Sequence, residues 1–245
     1  MNKVKIIFVG TGNFANMGKK ANQAIWISAG DKNILLDCGP TTLYQLRKLH
    51  LNPNDLDGVF FTHFHGDHFA GIVFLDLALA LEYSRTRKII YAGPEGVKER
   101  FSVLSECCYH SFYPNFSFER KFQVYQPQHT YYFHDFCIFP IKMQHAPESI
   151  GYRVQIAGIQ IAVTGDTGWS ESVSALSQGT DLLITECTNY KKANKGKHLS
   201  YEELLEHQQE LEASRILLIH PGQDLLKHSD EIGFEIAEDG MEISF

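Results

Sequence analysis

Three histidines and an aspartate fall within six consecutive positions, His63-Phe64-His65-Gly66-Asp67-His68. Neutral imidazole and ionised carboxylate are the forms that bind cations, and both are available at neutral pH. Their nitrogen and oxygen donors suit zinc, and also manganese or iron. His63 and His65 are two apart, so at the end of an extended strand they can converge on one ion. Asp67 and His68 come one turn later and reach a second ion nearby. Four ligands from one loop cannot complete two metal shells and leave room for a substrate, so more donors must come from elsewhere. His145, Asp166 and His220 qualify: they follow the strand-like runs "IFPIKMQ", "IQIAVTG" and "RILLI". The C-terminal ends of strands are where open α/β sheets present functional groups.

The surrounding sequence supplies elements to hold these residues. "KVKIIFVG" (3–10) reads as a buried strand stopped by Gly10 and Gly12, and "QAIWIS" with "NILLDCG" as a hairpin around 29–32. Residues 41–49 have helical apolar spacing, and "LDGVFFTH" is the strand that delivers the histidine cluster. A helix is expected over 70–83, a strand over 88–92 and a helix over 94–107, where Pro94 suits a first turn. "GYRVQIAG" and "IQIAVTGD" flank Gly158 as a second hairpin, "TDLLITEC" and "SRILLIHPG" read as strands, and Ser200 with Glu203 has capping-box spacing for a helix to 211. "GFEIAEDGMEISF" reads as a closing hairpin turning at Asp239-Gly240. Both halves start with hairpins and pass to strand–helix units. That order fits a mixed two-sheet sandwich with helices outside better than a purely parallel sheet.

His-x-His-x-Asp-His, followed by a downstream His, a Gly-Asp-Thr aspartate and a late His, resembles the metallo-β-lactamase fold superfamily. The resemblance covers nearly the whole chain, from Gly10-Thr11-Gly12 to His220-Pro221-Gly222. It implies an α/β fold, a four-layer αββα sandwich with mixed sheets, residues 1–245 forming one hydrolase domain. It also implies a dinuclear site at the sandwich edge. By position, His63, His65 and His145 would bind the first metal, Asp67, His68 and His220 the second, and Asp166 would bridge them. The ions would be zinc, with manganese or iron as alternatives.

Within the superfamily the chain is most similar to the ribonuclease Z and related phosphodiesterase branch, through Glu186 in "LLITECTN" and His198 in "GKHLS". There the histidine, oriented by the glutamate, contacts the phosphate and supports proton transfer, roles carried here to His198 and Glu186. Asp67 joins them as a ligand that also hydrogen-bonds the nucleophile. The implied activity is a metal-dependent phosphodiesterase acting on a small nucleotide or cyclic nucleotide through a metal-bridging hydroxide. The long Gly/Pro-rich arm with which ribonuclease Z grips transfer RNA is not found in the sequence. "NFANMGKKANQ" also departs from that branch's early Pro/Arg pattern. Both favour a smaller diester over transfer RNA. Two alternatives remain: a carboxyl-ester, lactone or thioester hydrolase on the same metals, and a non-catalytic binding module that kept the fold.

Composition narrows the partners. Hydrophobic residues make up 44% of the 245, ample for a core, and the net charge of −7 disfavours non-specific binding to a polyanion. A small anionic substrate is therefore favoured over nucleic acid. Locally, "YKKANKGKH" places Lys191, Lys192, Lys195 and Lys197 ahead of His198, where they could steer that anion. Five cysteines without a C-x-x-C fit free thiols in a reducing compartment. The N-terminus lacks signal-peptide features, and the apolar run 69–81 contains Asp76 and is too short to span a bilayer. Cytoplasmic location without membrane contact is the expectation, and the family resemblance allows a homodimer. The aromatics between Tyr109 and Phe122 read as core, or as a lid over the substrate within 101–140.

Overall fold

The computed structural model describes residues 3–110, 116–193 and 196–245. In chain order the first half contains β1 (Val4–Gly10), β2 (Ala24–Ala29), β3 (Lys32–Leu36), α1 (Thr42–Lys48), β4 (Gly58–Phe60), α2 (Gly66–Phe69), α3 (Ile72–Leu81), β5 (Ile89–Gly93), α4 (Val97–Cys108) and β6 (Arg120–Val124). The second half contains β7 (Tyr131–Phe133), β8 (Phe136–Lys142), β9 (Ile150–Ile156), β10 (Ile159–Val163), α5 (Glu171–Ser177), β11 (Leu182–Glu186), α6 (Tyr201–Glu206), β12 (Ile216–Ile219), α7 (Gln223–Lys227), β13 (Glu235–Ile236) and β14 (Glu242–Ser244).

These strands make two sheets, ordered β14-β1-β2-β3-β4-β5-β6 and β13-β12-β11-β10-β9-β8-β7. Each is antiparallel at one end and parallel at the other, changing at β3/β4 in one and at β10/β11 in the other. The parallel strands are buried on both faces, which is why their sequences are continuously apolar rather than alternating. In β3, Ile34 and Leu36 enter the core between the sheets while Leu35 faces the outer helices. In β11, Leu182 and Ile184 face the same inner core and Leu183 packs under the other helical layer. The layers are thus helices, sheet, sheet, helices: the expected αββα sandwich with mixed sheets.

Three local expectations need correction. The helix expected over 70–83 forms as α3, trimmed to Ile72–Leu81, with the separate short α2 ahead of it and Gly71 between them. A Cβ on Gly71 would sit 1.9 Å from the Gly39 carbonyl, and its N–H is drawn to the Cys38 carbonyl. The helix opening at Ser200 has the full capping box but ends at Glu206 rather than 211. The closing segment is not a hairpin. β13 lies parallel to β12 in one sheet, and β14 lies antiparallel to β1 in the other. The Asp239 carboxylate pins the crossing by accepting from Thr11 N and Oγ1, Ala21 N and Gln45 Nε2.

Of the aromatic segment, Tyr109, Phe116, Phe118 and Phe122 pack on the outer core under α3 and α4. Phe116 and Phe118 also carry the Arg120 guanidinium on their faces. These described aromatics are core, not lid; residues 111–115 lie outside the described residues. Among the described residues no helix is long and apolar enough to cross a membrane.

Candidate metal centre

The seven metal-type residues singled out in the sequence meet where the two sheets' parallel strands end. β4 runs buried through Phe60, and the chain then emerges through Thr62 to His63 and His65. α2 turns Asp67 and His68 back toward the same point. His145 comes from the turn after β8, Asp166 from the turn after β10 and His220 from the residue after β12. Gly165 is needed for this convergence: its φ is +61°, and a Cβ there would lie 2.7 Å from Thr62.

Two donor groups result, each with its ligand atoms within 4.8 Å of one another: His63, His65, His145 and Asp166; and Asp67, His68 and His220. Asp166 faces both. Its Oδ2 lies 3.7 Å from His63 Nε2 and 3.6 Å from His145 Nε2, while its Oδ1 lies 3.1 Å from His68 Nε2 and 3.4 Å from His220 Nε2. Asp67 Oδ2 is 3.3 Å from His220 Nε2 and 3.6 Å from His68 Nε2. A further grouping, Asp166, His198 and His220, lies within the same distances and reuses two of these residues.

The donor set fits a pair of divalent cations. His63 Nε2 is buried with no hydrogen-bond partner among the described residues, and Asp166 Oδ1 has the His68 and His220 ring nitrogens as its neighbours. An orphaned nitrogen such as that of His63 is costly unless something else engages it. The outward nitrogens of four rings are held: His63 Nδ1 by Thr62 Oγ1, His68 Nδ1 by Asp37 Oδ2, His145 Nδ1 by the Lys197 carbonyl and His220 Nδ1 by Thr188 Oγ1. Metal-binding histidines are held this way almost without exception, which fixes the ring and the tautomer.

The electrostatics agree. Burial and the nearby charge of His68 hold the His63 pKa well below its ordinary value. For His68, burial opposes the charge, but Asp166 and Asp37 overcome it and raise the pKa well above the usual imidazole range. Burial likewise opposes ionisation of Asp166, and His220 and His68 more than reverse it. The cluster therefore draws positive charge to the point its carboxylates face.

Glu186 ends β11 and is fully buried. Its Oε1 accepts from Thr167 N at 2.8 Å and from His198 Nδ1 at 2.7 Å. Burial works against a charge on His198, but the hydrogen bond and charge of Glu186 win and raise its pKa to about 9. The His198 ring stacks on His220 at 5.6 Å between centroids and is about 30% exposed, so it stands beside the cluster at the solvent mouth. Its loop is latched to His145 in both directions, since Lys197 Nζ donates to the His145 carbonyl at 2.7 Å. Lys192 Nζ lies 3.5 Å from Glu206. Lys191 is exposed, and Lys195 lies outside the described residues.

Sequence reasoning missed three residues. Asp37 follows β3, is fully buried, and adopts φ +61°. It accepts from His68 Nδ1, Thr62 N, Thr62 Oγ1 and Gln23 Nε2. Thr62 and Thr188 carry hydroxyls to the outer edges of His63 and His220. The available signal was positional: a carboxylate ending the buried run "NILLD", and a threonine just before or just after an assigned residue.

A family model described as anti-Pycsar protein Apyc1 matches residues 4–238. Ribonuclease Z of Thermococcus sibiricus is 26% identical over an alignment covering 89% of this chain and 86% of that protein. Among solved structures, the metallo-β-lactamase fold protein YhfI of Bacillus subtilis superposes with a TM-score of 0.83, 23% identity and full coverage of both chains. The short form of human tRNase Z gives 0.78 and 23%, covering 98% of each. The chain has the metallo-β-lactamase fold, and the resemblance to the ribonuclease Z-like branch is borne out.

Proposed function

Since this chain belongs to the anti-Pycsar protein Apyc1 family, we propose that it is a two-metal phosphodiesterase whose substrate is a small nucleotide, a cyclic nucleotide first. The observation that carries the reading is Asp166 facing one histidine group with each of its oxygens. In this proposal residues 1–245 act as one unit. His63, His65 and His145 would hold one ion, Asp67, His68 and His220 the other, and Asp166 would serve both, with zinc preferred over manganese or iron. When bound, such a pair supplies Lewis acidity: it activates water for attack and neutralises phosphoryl charge.

The chain's own residues do the rest. Asp67, a ligand on one oxygen, accepts a hydrogen bond from the attacking water and aims it. Glu186 fixes His198 with Nδ1–H directed at the carboxylate, leaving Nε2 to carry the second proton. His198 gives that Nε2 proton to the departing ribose oxygen, a general-acid contribution of ~10²–10⁴ in rate. Its placement at the exposed mouth suits contact with a leaving group. The net charge of −7 supports a small anion over a long polyanion.

The test is a substrate panel for the metal-replete chain: cyclic nucleotides, a structured RNA with a 3′ extension, lactones and thioesters. Opening of a cyclic nucleotide to the monophosphate, followed by chromatography, is expected. Cleavage of the RNA alone would shift the reading to the substrate class named for the ribonuclease Z relatives. Lactone or thioester turnover alone would remove the phosphodiester assignment.

A further inference from the structure

The geometry points to Thr188 as a positioning residue that sets the tautomer of His220 and ties this ring to the carboxylate that holds His198. The inference rests on the reading of His220 as a metal ligand. Thr188 lies two residues beyond Glu186, at the end of β11. Its Oγ1 is 2.7 Å from Glu186 Oε2, 3.0 Å from His220 Nδ1, 3.1 Å from the His220 carbonyl and 3.4 Å from His198 Nδ1.

A hydroxyl has one proton to give and two lone pairs to receive with. The proton goes to Glu186 Oε2. That oxygen is buried, and no other donor reaches it among the described residues, since Thr167 and His198 both serve Oε1. The bond is short and charge-assisted, the strongest on offer. Having spent its proton, Oγ1 can meet His220 Nδ1 only as an acceptor. His220 therefore carries a hydrogen on Nδ1, and Nε2, 3.3 Å from Asp67 Oδ2 and 3.4 Å from Asp166 Oδ1, is the nitrogen left free to give up its proton to a cation.

The reverse assignment fails on charge. A proton aimed at His220 Nδ1 would turn the threonine lone pairs toward a buried carboxylate oxygen. It would also leave the hydrogen of His220 on Nε2, pointing into the ion site. One carboxylate thus organises two rings: His198 directly, and His220 through a single hydroxyl.

Thr188→Val keeps the shape and deletes the relay, and Thr188→Ser restores the hydroxyl. Calorimetric titration of Zn²⁺ into the metal-free full chain should show two sites in the parent. In Thr188→Val the His63–His65–His145 site is expected to be unchanged and the second weakened about 10–100-fold. Its retained first site also certifies that the variant is folded. Thr188→Ser should return the second site to near the parent affinity. Independently, ¹⁵N imidazole spectra of the metal-free parent at alkaline pH should show His220 as the Nδ1–H tautomer, and Thr188→Val should show a mixture. Equal second-site affinity in Thr188→Val, or an Nε2–H tautomer in the parent, overturns the assignment. A parent that takes up no second ion removes the ligand reading of His220 instead, and the tautomer spectrum still decides on Thr188.

Discussion

Asp37 and Glu186 occupy matching places, one in each half of the sandwich. Asp37 follows β3 and Glu186 closes β11. Asp37 holds His68 directly and reaches His63 through Thr62; Glu186 holds His198 directly and reaches His220 through Thr188. The difference lies in what the held rings face. His63 and His68 are fully buried, so the Asp37 side only freezes two rings inside the cluster. On the Glu186 side His220 is buried while His198 is about 30% exposed, so the same carboxylate stores a proton at the mouth. One hydrogen-bond pattern serves rigidity in one half and, in the function proposed above, proton delivery in the other, with solvent access deciding between them.

If the Asp37 side is purely a frame, its loss should be the most damaging. Asp37→Ala frees two rings and strands Thr62 N. Each metal should bind about 10–100-fold more weakly, and each buried group left unpaired should cost about 1–3 kcal/mol of stability. Zinc titration and melting curves measure both. A variant that binds zinc like the parent would break the comparison. His198→Ala should lower kcat by ~10²–10⁴ with full zinc content by elemental analysis. Metal lost along with activity would move His198 into the ligand set.

Glu186→Gln sharpens the proton-storage half. In the metal-free chain the His198 pKa, about 9 beside the carboxylate, should fall toward its ordinary 6.5, read by NMR titration. Because the folded-state value is raised, the stabilisation from this pair is complete below pH 6.5 and is lost as pH rises through about 9. The melting-temperature gap between parent and variant should close over that window, and a gap that widens there would contradict the pairing. The smallest effect belongs to the basic loop. Neutralising Lys191, Lys192, Lys195 and Lys197 should raise KM on the order of tenfold and flatten its salt dependence. Unchanged kinetics would mean that the loop only carries His198.

The residues proposed as ligands come together because each lies on or just after an apolar run, and apolar runs become strands whose ends converge. His145, Asp166 and His220 are far apart in the chain, yet all three obey that rule. Asp37 obeys the same rule, ending the run "NILLD", and was overlooked; what spacing along one segment does not encode is which ring Asp37, Thr62 and Thr188 each hold, because that depends on register between neighbouring strands and on side-chain reach. The C-terminal hairpin was misread for a related reason. "EIAEDGMEIS" has the alternation and turn residues of a hairpin, but the Asp239 carboxylate is committed to Thr11, Ala21 and Gln45. That commitment sends the two strands into different sheets. The early end of α6 at Glu206 was invisible as well, because the capping box marks only where a helix starts.

Asp37 shares its left-handed backbone with His220, whose φ is +60°. That conformation costs an L-residue roughly 1–2 kcal/mol relative to glycine. A glycine at position 220 would relax the backbone but delete the buried imidazole that Thr188, Asp67 and Asp166 face, so the strain is kept for the ring and not for the turn.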